Sequence, residues 1–172
     1  AVDAPAVADD VRLVQVPEDV MASVAPSESP QGVLFLCDIV QPTWPDKLEG
    51  RHYVVLEGVQ DPGNVGTILR TADAFDCDGL FLTEGCADLY NVKTVRATMG
   101  AVFRRPVWRC GAQQVGALLR ASGIALYGAA LRDDTADART VDYSRAAVAI
   151  GSEGHGLSED LLALCDKTIR LP

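Results

Sequence analysis

The chain has 172 residues, 48% of them apolar and 23% charged, and its 24 acidic against 15 basic side chains leave a net charge of −9. Those figures describe one globular domain with at most a small appendage and exclude disordered and fibrous classes. No apolar run reaches membrane-spanning length and no signal peptide opens the sequence, so a cytoplasmic location is expected and membrane classes are excluded, while the acidity taken alone argues against a nucleic-acid partner.

Ala1 to Asp10 is rich in Ala, Asp and Pro and is expected to be a loose segment. VRLVQV (Val11 to Val16) alternates as a short strand, Pro17 to Ala25 reads as a short helix opened by proline, and GVLFLCDIV (Gly32 to Val40) reads as an apolar strand. Gln41 to Gly50, with Pro42 and Pro45, is the expected linker. From Arg51 onward strands and helices alternate. Strand Tyr53 to Glu57, helix Pro62 to Phe75 and strand Gly79 to Thr83 come first, followed by a short helix from Val92 to Thr98 and a strand around Val107. A helix from Ala112 to Ala121, the strand Ile124 to Ala130, and an acidic polar stretch from Arg132 to Arg145 follow. The chain closes with strand Ala146 to Gly151, helix Ser158 to Leu164 and strand Thr168 to Leu171. This order predicts an α/β fold with a mainly parallel sheet flanked by helices.

The stretch YVVLEGVQDPGNVGTILRTADAFDCDGLFLT, Tyr53 to Thr83, holds more polar chemistry than packing requires. Asp61 offers a helix N-cap and Pro62 suits the first helical position. Val65, Ile68, Leu69, Ala72 and Phe75 follow the helical period and are expected to face the sheet, which leaves Asn64 and Arg70 off the stripe. In open α/β sheets ligands bind beyond the carboxyl ends of the strands. Three polar loops occupy such positions: EGVQDPGN, GAALRDD and GSEGHG. The glycines of GSEGHG permit close backbone approach to a ligand, but GxxGxG is not the dinucleotide fingerprint GxGxxG, which weakens an oxidoreductase assignment.

Five cysteines (Cys37, Cys77, Cys86, Cys110 and Cys165) at irregular spacing, without a CxxC pair, read as free structural thiols rather than a zinc or redox site. Trp44 and Trp108 read as packing residues, and His155 as an ordinary turn residue. The overall acidity hides a local reversal. Between Cys86 and Cys110 stand five basic residues, Lys93, Arg96, Arg104, Arg105 and Arg109, against one acid, Asp88. Lys93 and Arg96, three apart on a short helix, with Arg104 and Arg105 nearby, form a candidate RNA track; Arg109 reads as part of a solvated face.

LEGVQDPGNVGTILRTADAF resembles the first motif, and IGSEGHGLSEDLLALCDKTIRLP the second motif and the start of the third, of the SpoU (TrmH-like) class of RNA ribose methyltransferases. NVKTVRATMGAVFRRPV is similar to the family's intervening segment. The resemblance covers Arg51 to Pro172 and implies transfer of a methyl group from S-adenosylmethionine to a ribose 2'-hydroxyl of RNA, ribosomal RNA in preference to transfer RNA, with no metal. It also implies a SPOUT-type α/β fold with a C-terminal trefoil knot and a homodimer. By residue it assigns Arg70 to activating the hydroxyl, Asn64 and Glu153 to the catalytic site beside it, and Gly151 and Leu171 to cofactor contacts. The alternative for Arg70 is a helix-surface pair with Asp73 at i+3, and the alternative for the whole chain is a non-catalytic RNA-binding relative. Val16 to Ile39 resembles the end of the family's front RNA-recognition domain, which gives residues 1–40 as a remnant of that domain, 41–50 as linker and 51–172 as the methyltransferase domain. The family's third motif runs past IRLP into a loop with a serine and an asparagine and a last helix, so the knot and the cofactor site are expected to be incomplete in this sequence.

Overall fold

Short runs such as YVVL and AAVAI are apolar on both faces of a strand, and such strands are stable only in a sheet covered by helices on each side. The computed structural model describes residues 8, 10–27, 30–39, 41–133 and 135–171, so most of the segment expected to be loose, and Val40, lie outside the described residues. The chain divides into two units, Ala1–Asp38 and Ile39–Pro172.

In the first unit, helix α1 (Glu18–Val24) starts after Pro17, whose carbonyl accepts the Met21 amide at 3.0 Å. Glu18 and Asp19 in its first turn oppose the helix dipole favourably, and none of its residues is buried. Val11 to Val16 and Gly32 to Ile39, both expected as strands, form no strand among the described residues. An apolar run becomes a strand only when a ladder partner takes up its amides and carbonyls, and none of the described strands pairs with either run.

The second unit holds seven parallel strands: β1 (His52–Leu56), β2 (Gly79–Leu82), β3 (Val107–Arg109), β4 (Ala125–Ala129), β5 (Ala136–Asp137), β6 (Ala146–Ile150) and β7 (Lys167–Arg170). Their order across the sheet is β3-β2-β1-β6-β4-β7-β5, and every pairing is parallel. The helices are α2 (Pro62–Ala74), α3 (Val92–Ala97), α4 (Ala112–Ala121) and α5 (Glu159–Leu162). Alternate strand residues enter two cores, as the period of two requires. Tyr53, Val55, Phe81, Leu126 and Ala147 pack with Val115, Leu118 and Leu119 of α4 and Leu161 of α5. Leu56, Leu80, Leu82 and Val107 pack on the other face with Val65, Leu69 and Ala72 of α2.

Gln41 to Gly50, expected as a linker, belongs to the second unit. Leu48 is 2% exposed and its amide donates to Ser122 Oγ at 2.9 Å. Trp44 meets Phe81 edge-on at 6.0 Å, and Trp108 stacks on Phe81 at 5.0 Å while its Nε1 donates to the Thr43 carbonyl at 3.0 Å. Both tryptophans therefore pack.

Two details depart from the sequence pattern. Phe75, expected against the sheet, is 79% exposed, because α2 ends at Ala74 and Asp76 turns the chain away with φ +56°. The polar stretch from Arg132 to Arg145 contains β5 and a 3-10 turn, Ala138–Thr140. Two residues are too few to show a strand period, and β5 is defined by its partner β7.

Helices α2 and α3 meet at backbone distance. A Cβ placed on Gly66 would lie 2.5 Å from Ala97 Cβ and 2.6 Å from the Thr94 carbonyl oxygen, so the two helices approach this closely only over glycine. Gly66→Ala is expected to force them apart and lower stability by about 1–3 kcal/mol despite alanine's better helix propensity, as read from denaturant midpoints.

Candidate active site

The carboxyl ends of β1 and β6 are adjacent, and the residues that leave them are tied to one another. The Glu57 amide donates to the Ile150 carbonyl at 3.0 Å. Its carboxylate accepts from the Ser158 amide at 2.7 Å and from Ser158 Oγ at 2.8 Å. Ser158 is also the N-cap of α5, its Oγ accepting the Leu161 amide at 3.2 Å. Glu57 thus fastens the loop after β1 to the far end of the glycine-rich turn after β6. Within that turn the Gly156 amide donates to the Ser152 carbonyl at 2.9 Å. Gly151 cannot be replaced there, since a Cβ would lie 2.1 Å from the Gly156 carbonyl carbon and oxygen.

Asp61 caps α2 by accepting the Asn64 amide at 2.8 Å, which sets Asn64 in the first helical turn. The Asn64 Nδ2 group donates to Glu153 Oε1. A carboxylate only accepts, so the amide nitrogen faces Glu153 and Asn64 Oδ1 is left available as an acceptor. The structure therefore brings Asn64 and Glu153 together from opposite ends of the domain.

Arg70 stands exposed on α2 and makes no hydrogen bond or ion pair among the described residues. Its alternative partner, Asp73, is occupied. Arg104 donates to Asp73 Oδ2 from Nε at 2.9 Å and from Nη2 at 2.6 Å, and Arg105 Nε donates to Oδ1 at 2.7 Å. Arg105 Nη2 also reaches Asp76 Oδ1 at 2.7 Å. Hydrogen bonds from Arg104 and then Arg105 hold the Asp73 carboxyl below the usual carboxylate range, and Asp73 and Asp76 raise the Arg105 guanidinium in return.

The four candidate RNA contacts accordingly separate into two kinds. Lys93 and Arg96 are exposed on α3 without ion pairs among the described residues, whereas Arg104 and Arg105 are engaged in the cluster at the end of α2. Arg109 pairs with Asp88 at 3.2 Å. His155 lies exposed in the glycine-rich turn, where only its backbone amide is engaged, by Ser152 Oγ at 3.2 Å. All five cysteines are free, and burial pushes the Cys110 thiol up to about 12 and the Cys165 thiol up to about 11, which makes both inert.

Beyond β6, β4 and β7, which are neighbours or near neighbours in the sheet, lie Gly151, Leu131 and Leu171. Leu131 is 86% exposed and Leu171 81% exposed, so two large apolar side chains face outward just beyond β4 and β7. Leu131 was not singled out in the sequence, although its loop GAALRDD was; an apolar residue opening a polar loop after a strand is the signal that marks it. A separate concavity of about 340 Å³ at the ends of β1 and β2 is lined by Glu57, Glu84, Asp160 and the start of α4. Its three acids make it unfavourable for a phosphate.

A profile of the SpoU rRNA Methylase family matches residues 51–172. Over 163 residues the chain is 32% identical to the 23S rRNA (guanosine(2553)-2'-O)-methyltransferase of Bacillus subtilis, which takes in 94% of this chain and 64% of that protein. It is 35% identical over 122 residues to the tRNA (guanosine(18)-2'-O)-methyltransferase of Thermus thermophilus, 69% of this chain and 61% of the other. The fold matches that of an AdoMet-bound rRNA methyltransferase from Sinorhizobium meliloti with a TM-score of 0.80 at 34% identity, covering 91% of this chain and 61% of that one. The chain thus spans about three fifths of the length of these relatives.

The Asp73 cluster has a pH signature. Its folded-state carboxyl titrates below the ordinary value of 3.8, so its contribution to stability is complete above that value and is lost as pH falls through the lower folded-state value. Asp73→Asn is expected to unfold at a lower temperature than the parent protein near about pH 6, with the difference closing towards about pH 2, as followed by circular dichroism.

Proposed function

Because the chain belongs to the SpoU rRNA methylase family, we propose that it carries the catalytic part of an RNA ribose 2'-O-methyltransferase that uses S-adenosylmethionine. The observation that carries this is the Asn64 to Glu153 hydrogen bond, which joins the first and second family motifs across the ends of β1 and β6 while Arg70, on the same helix as Asn64, stays unpaired among the described residues. Ribosomal RNA is the favoured substrate over transfer RNA, supported by the B. subtilis relative and by the front segment that resembles the RNA-recognition domain of ribosomal members.

The residues present suit the cofactor. Gly151 lets the glycine-rich turn fold back on itself at the end of β6, and the exposed Leu131 and Leu171 offer apolar surface for an adenine ring. Bound S-adenosylmethionine supplies a methyl group already activated on a sulfonium. The chain's own task is to hold the 2'-hydroxyl in line for transfer while its proton passes to solvent water. An arginine side chain offers only N–H donors, so Arg70 binds the neighbouring phosphate and orients the 2'-oxygen. Asn64, its nitrogen spent on Glu153, accepts from the ribose or from Arg70 through Oδ1. Lys93 and Arg96 hold phosphates on α3.

The first unit serves RNA recognition in this scheme. Homodimerisation, a trefoil knot and a cytoplasmic location belong to the same proposal and rest on the family resemblance.

Methyl transfer from labelled cofactor to ribosomal RNA and to transfer RNA by the intact protein tests the assignment. Arg70→Ala is expected to lower transfer by about 100-fold or more while leaving cofactor binding measurable by calorimetry. Parent-level transfer by Arg70→Ala would remove Arg70 from the site, and no cofactor binding at millimolar concentration would leave an RNA-binding relative in place of an enzyme.

A further inference from the structure

Gly66, Arg70 and Asp73 stand at i, i+4 and i+7 and so share one face of α2. The contacts at the two ends of that face are with one continuous stretch of chain. Gly66 meets Thr94 and Ala97 of α3, and Asp73 meets Arg104 and Arg105, which follow the 3-10 turn Ala101–Phe103. Arg70 lies between these contacts, and Asp73, three residues further on, is the carboxylate nearest to it along the helix. Left to itself, that carboxylate would draw in the guanidinium, because an aspartate and an arginine three apart on one helix face are within reach of an ion pair. In the structure it does not, since both of its oxygens are already bonded.

We infer that Arg104 and Arg105 are positioning residues for Arg70. They act through Asp73 by saturating its carboxylate, so that Arg70 remains without an intrahelical partner and is available to RNA. This rests on Arg70 serving the reaction proposed above. It reassigns Arg104 and Arg105 from phosphate contacts to guards of a neighbouring charge, which accounts for two basic residues being spent on one acid in a chain with an excess of acids. Arg105 is suited to the role, with 22% of its side chain exposed and a second anchor in Asp76.

The two roles give opposite results in a rescue experiment on the intact protein. Arg104→Gln with Arg105→Gln releases Asp73, which then pairs with Arg70, and methyl transfer is expected to fall about two- to fivefold, the equivalent of one exposed ion pair. Adding Asp73→Asn to that pair removes the competing charge and is expected to restore most of the loss. If Arg104 and Arg105 instead grip phosphate, Asp73→Asn restores nothing, and the inference is overturned. Should the double variant fold poorly, Arg104→Gln alone frees Oδ2, and the same Asp73→Asn rescue decides.

A second measurement is independent of activity. Carboxyl carbon titration of Asp73 by NMR in the Arg104→Gln, Arg105→Gln protein is expected to stay below the ordinary range because Arg70 has taken over, and to return to the ordinary range when Arg70→Gln is added. An ordinary titration before that addition would show that Arg70 is not captured and would sink the inference. Absence of methyl transfer in the parent protein, with the NMR result as expected, would instead count against the proposed reaction alone.

Discussion

The register of β1 against β6 governs what this domain can do. His52 pairs with Ala146 and Leu56 with Ile150, so the two strands end level and the chain leaves both at the same height, into Glu57 on one side and Gly151 on the other. Asn64 and Glu153 meet only because of that alignment. A slip of one residue would turn Val55 and Ala149, both buried, towards the opposite face, and would carry the glycine-rich turn out of reach of α2. The register is therefore held by the cores on both faces, and the site inherits its geometry from packing rather than from its own polar bonds. Those polar bonds then lock the loops, as Glu57 does by gripping Ser158.

Charge is distributed with a comparable division of labour. The concavity under Glu57, Glu84 and Asp160 is acidic, whereas α2 and α3 present Arg70, Lys93 and Arg96 without partners among the described residues. A protein with nine net negative charges can approach a polyanion only through such a local exception, and the exception here sits on two helices held at backbone distance by Gly66. Their separation leaves no room for a larger residue, so the free cations are presented at fixed spacing.

Much of the fold could be read from the chain because its local signals agree with its tertiary structure. Asp61 and Pro62 announce the start of α2 and the structure begins it there, and the apolar runs from Tyr53, Gly79 and Ala146 each became strands of one parallel sheet. Failures occurred where a neighbour decides. Val11 to Val16 and Gly32 to Ile39 have strand composition and no strand to pair with among the described residues, and β5 has a partner but no pattern. Phe75 follows the helical period one residue past the end of the helix. At the site, the motifs named Asn64 and Glu153, but composition could not show that Asp73, the alternative partner weighed for Arg70, is taken by two arginines some thirty positions away, a tertiary fact in which sequence spacing has no say.

The order of strands across the sheet also bears on how the molecule is made. β1 sits between β2, its near neighbour in the chain, and β6, which is synthesised long afterwards; β4 likewise waits for both β6 and β7. During synthesis β1 and β4 each keep an open, apolar edge until Ala146 to Ile150 has emerged and inserted between them. Such long-range parallel pairing is slow, and an open strand edge is a template for association with other chains. The half-formed domain is accordingly the aggregation-prone species of this protein. The insertion of β6 closes the gap between β1 and β4, and the last apolar edge, that of β4, is covered only when β7 follows.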